Sequence, residues 1–168
     1  KAITSHTLEA YSVDIETRTN EDGNQHDFPD GHKANAHDIR AGVVYKDKNV
    51  TVTAFPTKHA MESFGYRFDT ADRSVVISGD TSPTQATIDA CNGCDVLIHE
   101  VNTLETLSKR DARFQEFAAK YHTSTVQLAE LAKKAKPRLL VLYHHSIQFR
   151  PGVSLSASTP DALYREIA

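Results

Sequence analysis

The sequence predicts an α/β protein in which helices cover a mixed β-sheet. Three observations predict it. Short apolar runs of strand length recur between Ala41 and Leu142. The first of these runs follow one another through turns, whereas the later ones alternate with helical patterns. Most of the runs empty directly into a histidine or a carboxylate, as strands do at the ligand-bearing edge of a layered sheet.

Taken in order, Lys1 to Asp14 shows weak alternation (Ile3, Leu8, Tyr11, Val13, Ile15) and reads as a strand or an irregular lead-in. Thr17 to His37 is polar and rich in turn residues, among them Asp22-Gly23-Asn24 and Pro29-Asp30-Gly31. It reads as one long surface loop at about 17–38, carrying His26, His32 and His37 as solvated side chains. Ala41 to Tyr45 starts a strand, Lys46 to Asn49 makes a hairpin turn, and Val50 to Phe55 returns as far as Pro56. Phe64, Tyr66 and Phe68 alternate, Asp72-Arg73 turns the chain, and Ser74 to Ser78 leads into Gly79-Asp80-Thr81. A glycine just past a strand lets the backbone bend sharply. Ser82 caps the helix that follows and Pro83 suits its first turn.

Asp95 to His99 is the next strand, with Glu100 just beyond it. Leu104 to Lys120 reads as one charged amphipathic helix, Tyr121 to Ser124 as a link, and Thr125 to Lys136 as a helix stopped by Pro137. Leu139 to Leu142 is a fully apolar strand followed by His144-His145-Ser146. Gln148 to Thr159 is rich in Pro, Gly and Ser, and Pro160 to Ala168 closes the chain as a helix.

The chain has 168 residues, 39% of them hydrophobic, and a formal net charge of -3. That suits a single domain, 1–168, with no global attraction to nucleic acid or anionic membrane. No apolar run approaches the ~20 residues that span a bilayer. The chain opens at Lys1, so the expectation is a partial product whose true start lies upstream, with a lean toward the cytoplasm. The two cysteines form Cys91-Asn92-Gly93-Cys94. Such a pair is redox active, half a zinc site, or plain packing. With no second pair to complete a zinc ribbon, Cys91 reads as helix-face packing, Gly93 as the helix stop, and the compartment as reducing.

His59, Asp80, His99-Glu100 and His144-His145 lie just after apolar strands, and His122 lies in the link before a helix. Strand ends on one sheet edge converge, so these are candidates for one cleft. Imidazole and carboxylate are the donors that borderline divalent metals take. A carboxylate against a histidine also makes a proton relay.

Four pieces carry a family resemblance: Lys58-His59 with Phe64-Gly65-Tyr66-Arg67-Phe68; Ser78-Gly79-Asp80-Thr81; Leu97-Ile98-His99-Glu100 with His122-Thr123-Ser124; and Leu142-Tyr143-His144-His145-Ser146. In this order and spacing they resemble the C-terminal half of metallo-β-lactamase-fold hydrolases, one half of an αββα sandwich. The branch they look most like contains tRNA 3′-processing ribonuclease Z and the arylsulfatase-like enzymes. The resemblance implies that His59 binds a first metal, Asp80 bridges two, and His144 binds the second. It implies that Glu100 and His122 deliver a proton to the leaving group, and that zinc or manganese activates a water. His145 is left to packing or hydrogen bonding.

The family's H-x-H-x-D-H motif is absent; His32 to Asp38, HKANAHD, has the wrong spacing. Each metal then keeps one histidine and the shared Asp80, short of the three or four protein ligands a zinc site needs. The expectation is weak metal binding and no turnover by this chain alone, the complete two-metal site requiring the missing N-terminal half. The implied partners are a small-molecule ester or RNA, together with that missing half or a second copy, since exposed apolar surface drives self-association. Alternatives to the hydrolase are a non-catalytic homodimeric scaffold and a part of a tRNA-processing ribonuclease.

Overall fold

The computed structural model describes residues 2–20, 31–145 and 160–168. It divides the chain into two compact units, Lys1–Ile39 and Arg40–Ala168. In the first, α1 (Ala2–Ala10) and α2 (Ser12–Asn20) stand where a strand or irregular chain, and then a loop, were expected. Leu8 and Ile15 are seven apart and, with Ser12, line a common groove, which is helical rather than alternating spacing. Residues 33–39 lack regular structure. His26 lies outside the described residues, and His32 and His37 are exposed.

The second unit is built on one six-stranded sheet in chain order: β1 (Gly42–Lys46), β2 (Thr51–Pro56), β3 (Phe64–Asp69), β4 (Ser74–Ile77), β5 (Val96–Glu100) and β6 (Leu139–Tyr143). The first four are antiparallel neighbours, and β4, β5 and β6 run parallel. This is the mixed sheet the sequence predicts. Helices link the parallel strands: α3 (Gln85–Cys91), then α4 (Leu104–Ser108), α5 (Ala112–Tyr121) and α6 (Thr125–Ala135); α7 (Pro160–Ile167) follows β6.

Phe55, Val76 and Leu97 are core residues, and Leu140 and Leu142 pack against them with the buried faces of α3, α6 and α7. Leu139 and Val141, which alternate with Leu140 and Leu142 along β6, remain 55% and 37% exposed, so the opposite face of that strand carries uncovered apolar side chains. Gly65 is required by packing. A Cβ there would stand 2.3 Å from Phe55 Cζ and 2.9 Å from the Ile77 carbonyl oxygen.

Several boundaries differ from expectation for local reasons. Thr84, not Ser82, caps α3, its hydroxyl accepting from the Thr87 amide. The helix expected over Leu104 to Lys120 is broken, because Asp111 takes extended backbone and its carboxylate accepts from the Phe114 amide, starting α5 afresh. Ser124 and Gln127 form a reciprocal capping box at α6, and Lys136 ends it in left-handed backbone. Cys91 is buried in the core as expected, but it is disulfide-bonded to Cys94 rather than merely packed. Asn92 takes the left-handed capping position that ends α3, with Gly93 also at positive φ. Arg67 donates to the Ala90 and Cys91 carbonyls at 2.6 and 3.1 Å, placing a cation on the negative end of that helix.

Candidate active site

The sheet direction explains why distant residues meet. β2 and β4 both run antiparallel to β3, so they share a direction, and β5 and β6 run parallel to β4. The C-terminal ends of all four therefore lie on one edge. His59, Asp80, Glu100 and His144 follow or end those strands. Polar ties then lock the edge loops together through Thr81. Its hydroxyl accepts from the Lys58 amide at 2.9 Å, its amide donates to Glu100 Oε1 at 2.5 Å, and its carbonyl accepts from the Thr123 hydroxyl at 2.6 Å. Thr81 and Thr123 are fully buried, so each of these bonds replaces one that water would otherwise make.

Two side-chain pairs stand on this frame. Asp80 Oδ2 lies 3.2 Å from His144 Nε2, both partly exposed. Both Glu100 carboxyl oxygens lie 3.0 Å from His122 Nδ1. The pairs adjoin: the His122 and His144 rings stack with centroids 5.8 Å apart, and the His59 ring meets His122 edge-on at 5.3 Å. His144 sits at φ 50, left-handed backbone that costs a histidine energy, and its ring meets Asp80 there. Tyr121 flanks His59 at 5.7 Å, and Phe117 flanks Tyr121 at 5.0 Å and His122 at 5.7 Å, forming an aromatic wall beside the imidazoles.

The hydrogen bond to Glu100 raises the His122 pKa above the ordinary histidine value, outweighing the opposing effect of burial. His99, one residue from Glu100, points the other way. It is fully buried, its Nδ1 lies 2.8 Å from the Glu100 carbonyl oxygen, and its Nε2 has no partner among the described residues. Burial pushes the His99 pKa down and keeps the ring neutral.

Residues 4–145 match the family described as "Beta-lactamase superfamily domain". The chain belongs to the metallo-β-lactamase superfamily. Membership implies a metal cofactor in general terms. Among curated relatives, "Ribonuclease Z" of Mycobacterium sp. strain KMS is 34% identical over 119 residues, 69% of this chain and 41% of the relative. "Ribonuclease BN" of Erwinia tasmaniensis is 27% identical over 162 residues, 67% of this chain and 51% of the relative. The chain thus spans about half the length of the curated relatives it matches. A solved metallo-β-lactamase-fold protein from Bacillus subtilis, YhfI, superposes with a TM-score of 0.55 at 22% identity, covering 73% of this chain and 44% of that one. That likeness supports the fold.

Within this superfamily fold, the five site residues expected from the sequence, His59, Asp80, Glu100, His122 and His144, come to one edge of the sheet. His145 is half-buried, and Ser146 lies outside the described residues. Asp80 and His144 are donors of the kind a divalent metal takes. Among the described residues, however, no group of three or more His, Cys, Asp or Glu is arranged to hold one. The donors fit a metal in kind and fall short in number. Sequence reasoning missed the organising role of Thr81 and the Phe117–Tyr121 wall. The only signal for the wall was the helical i, i+4 spacing of two aromatics just before His122.

Proposed function

We propose that this chain carries part of a two-metal hydrolase site, acting on an ester, sulfate ester or phosphodiester through a metal-activated water. The observation that carries the reading is the meeting of the Asp80–His144 and Glu100–His122 pairs, with His59 beside them. In this reading His59 serves the first metal, Asp80 bridges and His144 serves the second, with further ligands from outside these residues. Zinc or manganese bound there supplies a water of lowered pKa and polarises the substrate oxygen. Glu100 holds the His122 ring by Nδ1 and favours its protonated form, which leaves Nε2 to give a proton to the leaving oxygen. The relatives named ribonuclease Z support RNA as one substrate class. The uncovered apolar sheet face supports docking of a missing half or a second copy.

Calorimetric zinc titration of the full chain tests the reading. Saturable binding that disappears in Asp80→Ala and weakens in His144→Ala is expected. Absence of zinc uptake, or uptake unchanged by both substitutions, overturns it.

A further inference from the structure

A cavity of about 580 Å³ lies between α4, α5 and the start of α6, and His122 forms part of its wall. Ligand pockets for small molecules fall in this size range, ~300–1,000 Å³. Its apolar lining comes from Leu104, Leu107, Ala118, Ala119 and Val126. Among its lining residues there is no Lys, Arg, Asp or Glu, and His122 is the sole titratable side chain. The larger polar groups on its walls already have partners. Gln115 Nε2 donates to the Arg110 carbonyl at 2.7 Å, and Gln127 Oε1 accepts from the Ser124 amide at 3.0 Å.

The walls are also fixed relative to each other by one side chain. The Glu166 carboxylate on α7 accepts from the Leu104 and Glu105 amides, at 2.8 and 3.1 Å, and from the Thr125 hydroxyl. One acid thereby ties α4 to the first turn of α6, the two elements that face each other across the cavity.

We infer that this cavity seats an uncharged, mainly apolar group of the substrate, an aryl ring or a short acyl chain, next to His122. The inference rests on the hydrolase reading, because His122 belongs both to the candidate site and to the cavity wall. A phosphate or a nucleic-acid backbone is a poor occupant, because a charge enters such a lining without a compensating partner. A neutral ring loses only its contact with water. The site therefore favours small esters with aryl or acyl groups over polynucleotide backbone at this position.

The test is methyl NMR of the full chain titrated with p-cresol, phenol and inorganic phosphate. Expected are saturable shifts confined to the methyls of Leu104, Leu107, Ala118, Ala119 and Val126. p-Cresol should bind about fourfold more tightly than phenol, the worth of one buried methyl group. Phosphate should leave those methyls unmoved. Ala119→Phe fills the cavity from an exposed helix position and should weaken p-cresol at least tenfold. Val126→Asp sets a charge in the lining at the start of α6, where a carboxylate suits the helix, and should do the same. Failure of p-cresol to saturate, equal binding of phosphate, or unchanged affinity in both variants overturns the inference. Zinc titration of the same sample separates the two readings. Ring binding without zinc uptake leaves the ligand pocket and removes the hydrolase, and zinc uptake without ring binding does the reverse.

Discussion

Replacing Glu100 with glutamine isolates the pair that prepares His122. The Glu100 side chain is fully buried and serves two donors, the Thr81 amide at 2.5 Å and His122 Nδ1 at 3.0 Å. Glutamine keeps the shape and, with its oxygen at the Oε1 position, one acceptor within reach of both donors, but it loses the charge and sets an NH2 against the ring N–H where Oε2 had accepted. One charge-assisted bond is therefore lost, a cost of about 1.5–3 kcal/mol. The sign of the pH dependence follows from His122. Its folded pKa is raised, so its contribution is fully present below the unfolded value of about 6.5 and is lost as pH rises through the folded value. The gap between wild type and Glu100→Gln should then be widest near about pH 5.5 and narrower near about pH 9. With a urea slope of about 2 kcal/mol/M, a gap of ~2 kcal/mol moves the midpoint by roughly 1 M. Urea unfolding at both pH values measures it, and an NMR titration of the His122 ring should show its pKa falling back toward the ordinary value. An equal gap at both pH values, or an unmoved His122 titration, refutes the reasoning.

Gly65→Ala should cost about 3 kcal/mol or more, at or above the upper end of overpacking, since its Cβ meets Phe55 at 2.3 Å and the Ile77 backbone at 2.9 Å. Adding Phe55→Leu should return part of that loss in urea unfolding; no recovery would mean that Phe55 is not the obstacle. His99 acts oppositely to His122: its folded pKa is depressed by burial, so stability holds above the unfolded value of about 6.5 and falls as pH drops below it. His99→Gln should flatten that acid-side loss in thermal unfolding across about pH 7 to about pH 5, and an unchanged slope would count against a buried neutral ring at this position.

Much of this was written locally in the chain. The alternation of Phe64, Tyr66 and Phe68 marks β3, and the stop at Pro137 and the left-handed Lys136 end α6 where expected. Gly79, at φ +65, makes the bend after β4 that delivers Asp80 to the edge. Such features are decided within a few residues, by period and by backbone sterics. The order of strands and their endings also carried His59, Asp80, Glu100, His122 and His144 as candidates for one cleft. What the local pattern could not decide was pairing across long separations. Glu100 faces His122 while its neighbour His99 enters the core, because the pairing of β5 between β4 and β6 decides which face is covered, a choice between two faces that the sequence leaves equivalent. Thr81 became the hub for the same reason, holding Lys58, Glu100 and Thr123 together only once three loops meet. The cavity beside His122 likewise belongs to the tertiary structure, where the grip of Glu166 joins α4 to the start of α6, whereas the break at Asp111 is local, one capping carboxylate outweighing an otherwise continuous helical period.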